Sequence, residues 1–312
     1  MLRARTSAVV VVLAFVSACS GGGAAPPPEP ASVAATPAPP RAAAPDFALG
    51  RGLEMRHPIR DGHLTIIPIA MTADAPDPAY LSLDDGMARK LVTVREIGSY
   101  SAVRVRNRSA EPLLVLSGEL VLGGAQDHAF AETRVIAARS SEEVPVVCVE
   151  KGRSEGSKRF HSGAALVDVA LRQVIRFGTQ QDVWGTVDRT NARLGLSPPT
   201  STYRDAAQLQ QEHLAIERRE RLAAGLGDPH IVGLAAALDG EVIAIDRFAS
   251  PQLYRAYQDK LLASYVAGDD GAHHEGQVPS PADVRHLASA EAQRWSTDAS
   301  FQALARPAPP LR

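Results

Sequence analysis
Two residues in the middle of the chain have the types and the spacing for proton chemistry. Glu119 and His128 stand on either side of Gly123-Gly124 in the string SGELVLGGAQDH. If the two glycines supply the positive φ angles of a two-residue hairpin turn, Leu122 pairs with Ala125. Counting outwards then sets Val121 against Gln126, Glu119 against His128 and Ser117 against Phe130. A carboxylate beside an imidazole orients the ring and raises its basicity, so the pair is a candidate general acid/base couple. Read as structure alone, it is a cross-strand salt bridge worth under ~1 kcal/mol at an exposed site. A turn displaced by one residue would break the pairing. Gln126, Glu150 and Arg153 supply further polar groups, and with Glu119 and His128 they form the candidate ligand-binding set. Cys148, inside PVVCVE, reads either as a small buried hydrophobe or as a catalytic thiol. No nucleophile set, metal set or phosphate loop completes a reaction, and no cofactor or metal is implied. His273-His274-Glu275 in its Gly/Asp-rich loop reads as solvated linker rather than a metal site.

These side chains need strands to hold them. Residues 113 to 153 read as three successive strands: an apolar run over Leu113 to Leu122, its hairpin partner after the glycines, and Val144 to Val149 beyond a polar turn at Arg139-Ser140-Ser141. Pro145 cannot donate to a ladder, which starts that third strand at a sheet edge, and Glu150 to Arg153 makes a charged, bent exit. Upstream, HLTIIPIAM over His63 to Met71 is a strand that Pro68 pushes towards an edge, and SAVRVR over Ser101 to Arg106 alternates as a half-exposed strand. Ser82 to Val92 is a short helix with Ser82 as its cap, Asp84 and Asp85 in its first turn, and Arg89 and Lys90 in its last.

Downstream, residues 154 to 162 are a polar loop, and 163 to 177 and 180 to 194 are helical, the second placing Val183, Trp184, Val187 and Leu194 towards the core. Tyr203 to Ala224 is a charged helix whose mixed-sign run reads as a solvated face. Ile231 to Leu238 and Glu241 to Ile245 form a hairpin about Asp239-Gly240. Ser250-Pro251 then opens a helix in which Leu253, Tyr257, Leu261 and Tyr265 recur every four residues, broadened by Tyr254 and Leu262. A last helix, capped at Ser280 with Pro281 first, runs to about Trp295 before a Pro-rich tail. The expected fold is α+β: a strand-rich antiparallel meander or sandwich-like core over about 63 to 150, packed by C-terminal helices and the hairpin at 231 to 245.

The N-terminus states an address. Arg3 and Arg5 precede the apolar run Ala8 to Phe15, and Val16-Ser17-Ala18-Cys19 resembles a bacterial lipobox. The expectation is a lipoprotein signal peptide over 1 to 19, cleavage before Cys19 and lipidation of its thiol, with acyl chains anchoring the protein to the membrane. A plain secretory peptide or an uncleaved anchor is the alternative. Ser20 at the next position favours the outer membrane, facing the periplasm. Residues 20 to 46 form a Pro/Ala-rich tether, 47 to 267 a single globular domain, and 268 to 312 a loop, helix and tail. Net charge is −2 and spread along the chain, which implies no nucleic-acid partner. With Cys19 acylated, Cys148 has no disulfide partner within the chain.

The strings SGELVLGGAQDH, PVVCVEKGR and QQDVW, with the ending GLAAALDGEVIAIDRFASPQLYRAYQDKLLASY, resemble the ARG and rhodanese-phosphatase-superfamily-associated protein domain over about 60 to 267. The family is largely uncharacterised; its name records gene associations with ADP-ribosylglycohydrolase and phosphatase-like proteins, which define no reaction. The resemblance assigns motif positions to Gly118, Glu119, Gly124 and Gln126, to Pro145, Cys148, Glu150, Gly152 and Arg153, and to Gln181 and Trp184. Asp127, His128 and Ser154 stand where asparagine, arginine and tryptophan are expected. Three functions follow as expectations: a lipid-anchored module that binds a ligand or an envelope partner, a hydrolase of a nucleotide-sugar or ADP-ribose-like substrate using Glu119 and His128, and a purely structural envelope protein. Convergence of the five polar residues in one pocket separates the first two from the third.

Overall fold
The computed structural model describes residues 52–72, 79–211 and 214–269, all within the compact unit Ala44–Arg312. The signal peptide, the tether, His273-His274-Glu275 and the helix expected at 280 to 295 lie outside the described residues. In chain order the elements are β1 Leu53–Met55, β2 Ile59–Asp61, β3 Leu64–Met71, β4 Leu81–Ser82, α1 Leu83–Ala88, β5 Val92–Glu96 and β6 Ala102–Asn107. Then come β7 Leu113–Val115, β8 Glu119–Gly123, β9 His128–Phe130, β10 Arg134–Ile136, β11 Ser141–Cys148 and β12 Phe160–Leu166. The chain continues with α2 Val169–Phe177, α3 Gln180–Arg193, α4 Arg204–Gln211, α5 Leu214–Ala224, β13 Ile231–Leu238, β14 Glu241–Arg247 and α6 Pro251–Gly268.

The fold is α+β, with mostly antiparallel sheets. Six strands in the order β12-β8-β9-β11-β6-β5 curl into a half-barrel, and a single bridge between Arg95 and Arg159 brings its two edges together. A second sheet runs β1-β3-β13-β14 with β2 also on β3, and a small third one runs β10-β7-β4. Alternation along the half-barrel strands gives it two apolar faces. Val94, Val103, Val105, Val121, Phe130, Val144 and Val146 share one cluster. Leu120, Ala129 and Val149 share another, beneath Leu171, Ile175, Val183 and Val187 of α2 and α3. The aromatic stripe of α6 is core, as its period demands: Leu253, Tyr257, Leu261 and Tyr265 pack on Leu64, Ile66, Leu234 and Ala236.

Several expected elements differ. The run Leu113 to Leu122 is two strands, because the chain leaves β7 at Leu116 and re-enters at Glu119, whose carboxylate accepts the Leu116 N–H at 2.7 Å. Neither proline lies on an edge strand. β3 pairs with β13 on one side and with β1 and β2 on the other. Pro68 sits opposite the break between β1 and β2, where its carbonyl takes the Arg56 N–H at 2.8 Å and no ladder donor is wanted from it. Pro145 likewise sits where β11 passes from β6 to β9, its carbonyl accepting the Ala131 N–H just past the end of β9. The helix expected from 163 starts at Val169, capped by Asp168; residues up to Leu166 instead pair with β8 through a bulged strand in which Ala164 takes φ 48°. The charged helix is two helices, α4 and α5. Among the described residues no helix is long and apolar enough to cross a membrane.

Candidate functional site
The β8–β9 ladder sets Val121 opposite His128 and Leu120 opposite Ala129. The turn is therefore centred one residue later than expected, on Gly124-Ala125, and every pairing slips by two. Two carboxylates choose this register, one in the hairpin itself and one from β5: Asp127 accepts the Gly123 N–H at 2.8 Å, and Glu96 accepts the Ala125 N–H. Gly124 cannot carry a side chain, since a Cβ there would lie 2.4 Å from the Phe160 ring. The predicted Glu119–His128 couple accordingly does not form, and each residue has other partners.

His128 takes the Gln126 carbonyl at 2.8 Å through Nδ1, which leaves Nε2 as the acceptor, 3.5 Å from the Cys148 Sγ. Burial lowers the imidazole pKa, and burial together with the Glu150 charge pushes the thiol up to about 11. The Cys148 Sγ also lies 3.7 Å from the Tyr100 carbonyl, to which the thiol can donate, so the thiol and the ring share one buried polar niche. Gln180 clasps the same strand end, accepting the Cys148 N–H at 3.0 Å and donating to its carbonyl at 2.8 Å.

Behind the turn lies an ion lattice centred on Asp127, which is wholly buried. Arg204 grips it at 2.9 and 2.6 Å, Arg153 reaches it at 3.2 Å and Thr202 donates at 3.1 Å. Arg153 also forks onto Glu150 at 2.9 and 2.6 Å and ties down the Gly124 carbonyl at 2.6 Å. Burial works to raise the Glu150 carboxyl, but hydrogen bonds from Arg153, Thr200 and the Asp127 N–H, with the Arg153 charge, outweigh it and hold the group below its ordinary range. Trp184 of α3 donates to the Glu150 carbonyl at 3.2 Å, and the Lys151 ammonium lies 6.0 Å from its ring. The Gln126 side chain stands at the half-buried rim.

Glu119 belongs to a different cluster. Its buried carboxylate meets the Lys260 ammonium of α6 at 2.5 Å, Lys260 also meets Asp84 of α1 at 2.7 Å, and Ser162 of β12 donates to Asp84. Burial drives the Glu119 carboxyl upward, and Lys260 only partly opposes it. For Lys260 burial works downward, but the two carboxylates win and keep it charged. Glu150 and Arg153 thus come together, with the Gln126 backbone and His128 adjoining them, while Glu119 stands apart.

A family model for the ARG and Rhodanese-Phosphatase-superfamily-associated Protein domain matches residues 52–306. The chain belongs to this family. No curated protein and no solved structure matches it. In this member of the family the motif positions Gly124, Glu150, Arg153 and Trp184 all meet at the turn lattice, whereas Gln181 is exposed and its neighbour Gln180 makes the contacts. The hub itself is Asp127, noted in the sequence only as a departure from the motif. Arg204, Thr200 and Thr202 carry no local signal, being about 75 residues away in the chain and fixed only by tertiary packing. Lys260 did leave one: it follows Tyr257 by three residues and so falls on the apolar stripe, where an unpaired ammonium is not tolerated.

Proposed function
We propose that this protein is a lipid-anchored binding module of the cell envelope whose recognition surface is the β8–β9 turn. The carrying observation is the lattice itself. Two guanidiniums and two carboxylates neutralise one another and lock the turn carbonyls in place, so the turn is preorganised for binding rather than armed for catalysis. Around it, Lys151 beside the Trp184 ring, the rim amide of Gln126 and the partly exposed Arg204 suit a ligand that carries an anionic group next to an apolar body. The neutral Cys148 and His128 fit the same reading, because a thiol near 11 offers little thiolate. The hydrolase reading needed Glu119 and His128 side by side, which the ladder does not provide. The anchor is supported by Arg3, Arg5, the apolar run to Phe15 and the lipobox ending at Cys19, with Ser20 favouring the periplasmic face of the outer membrane.

The test is native mass spectrometry of the full chain released from membranes in mild detergent, beside a Gln126→Ala/Lys151→Ala variant. A bound small molecule or partner lost in the variant at unchanged thermal stability is expected. The same spectrum for both chains, with nothing bound, would remove the turn as a recognition surface. Metabolic palmitate labelling that survives Cys19→Ser would remove the anchor.

A further inference from the structure
The outer face of the half-barrel changes character along β11. Val147 lies with Leu120 and Ala129 beneath α2 and α3. Successive side chains alternate, so the same face continues to Glu143 and Ser141, which are exposed. From Glu143 the ladders carry that face across to Arg104 of β6 and Arg95 of β5, and the bridge between the sheet's two edges carries it on to Arg159. One row of directly opposed residues therefore reads Glu143, Arg104, Arg95, Arg159, with Arg106 two places further along β6, and all five are exposed. Strands lie ~4.8 Å apart, so the three arginines of the row stand within ~10 Å. Like charges directly opposite one another weaken a sheet. The single carboxylate of the row engages Arg104, while Arg95, Arg106 and Arg159 have no ion-pair partner among the described residues. Tyr100, 59% exposed, stands on the turn that joins β5 to β6.

We propose that this face docks on an anionic phospholipid surface, with the guanidiniums on the headgroup phosphates and the Tyr100 ring at the boundary between headgroups and acyl chains. Three guanidiniums side by side give the sheet no stability of its own, whereas a plane of phosphates neutralises all of them together through charge-assisted hydrogen bonds. The exterior of a half-barrel presents a row rather than a cleft, which matches an extended charged surface better than one small anion. Tyrosine has an apolar body and a polar tip, the combination that belongs at a membrane interface. The net charge of −2 averages over the chain and does not describe this face. Docking here rests on the lipid-anchored reading above, because the anchor supplies proximity and the basic row then fixes which side of the domain meets the bilayer.

The experiment places an environment-sensitive fluorescent amino acid at position 99 of the full chain and reconstitutes it into vesicles of phosphatidylcholine alone or of phosphatidylcholine with phosphatidylglycerol. Co-flotation reads the anchor, and the emission of the fluorophore reads the face. A blue shift with the anionic vesicles alone is expected, reversed by high salt and lost in Arg95→Gln/Arg104→Gln/Arg159→Gln, each arginine being worth roughly fivefold near an anionic surface. The triple variant should melt no lower than the parent, since it relieves repulsion between exposed groups; a lower melting temperature would assign the arginines to the fold and overturn the proposal. A chain that floats with both vesicles while its emission stays unshifted overturns the docking and leaves the anchor standing. A chain that floats only with the anionic vesicles, with shifted emission, upholds the docking and removes the anchor. Equal shifts in both vesicles would mean apolar insertion of the turn without the arginines, and a shift produced by soluble polyphosphate but not by vesicles would mean a soluble polyanion; either overturns the proposal.

Discussion
Asp127 and Glu150 show how a residue's role depends on partners that its own neighbourhood does not reveal. The string GGAQDH announces a turn, but Gly123-Gly124 alone permits two centrings, and the choice rests with the Asp127 carboxylate and with Glu96 from another strand. The residue types of the site were legible, since Glu150 and Arg153 do engage each other. The pairing of Glu119 was not, because its partner Lys260 is 141 residues away. Glu150 supports a pH prediction. Its folded pKa is depressed below the ordinary 4.5, so its contribution is fully present above that value and is lost as pH falls through the depressed one. Glu150→Gln keeps an acceptor for the Asp127 N–H but removes the charge that Arg153 uses. Urea unfolding is expected to show the variant about 1–3 kcal/mol less stable near neutral pH, with the gap closing as the solution becomes strongly acidic. A gap that did not change with pH would mean that the carboxylate charge is not what holds Arg153.

Start and turn signals that are local held, although α1 ends at Ala88, short of the expected Val92, which opens β5 instead. Ser82 and Ser250 cap α1 and α6 as expected, and the Asp239-Gly240 hairpin has positive φ at both residues, 50° and 85°. Elements decided by pairing did not. Residues 160 to 166 are polar and small enough to read as loop and helix, yet β8 recruits them as a strand because its own outer edge needs a partner. The two prolines mislead for a related reason: a missing N–H rules out a ladder bond at one position, not a central strand, when the neighbouring strand is broken or ends there. The hairpin allows a direct test. Gly240→Ala places a Cβ at φ 85° and is expected to cost about 1–2 kcal/mol. Asp239→Asn, which accepts the left-handed region almost as readily, should be near neutral. Equal losses in the two variants, measured by thermal and urea unfolding, would show that turn geometry does not govern the hairpin.

At the scale of the whole molecule, the question is what makes the half-barrel and the sheet beneath α6 fold as one body. Apolar contacts alone join them loosely in sequence, with Leu114, Leu116 and Leu166 reaching from the half-barrel region into the α6 core. Polar ties add orientation. Tyr257 of α6 donates to the Leu114 carbonyl at 2.8 Å, Arg172 of α2 grips Asp246 of β14 at 2.9 and 2.5 Å, and Tyr265 donates to the same Asp246 at 2.6 Å. Lys260 is the most exacting of these ties, because one ammonium connects α6 to β8 through Glu119 and to α1 through Asp84. A buried ion pair contributes little net stability, but removing one partner strands the other in a medium that cannot solvate it. Lys260→Met is therefore expected to cost about 3–5 kcal/mol. Adding Glu119→Gln should recover much of that loss, since no charge is then left behind at β8. Urea unfolding of the four members of this cycle, followed by tryptophan fluorescence and far-ultraviolet circular dichroism together, measures both the coupling and whether one transition serves the whole body. Additive losses would mean that Lys260 and Glu119 act separately, and two resolved transitions in the wild-type chain would mean that the two sheets do not share their stability.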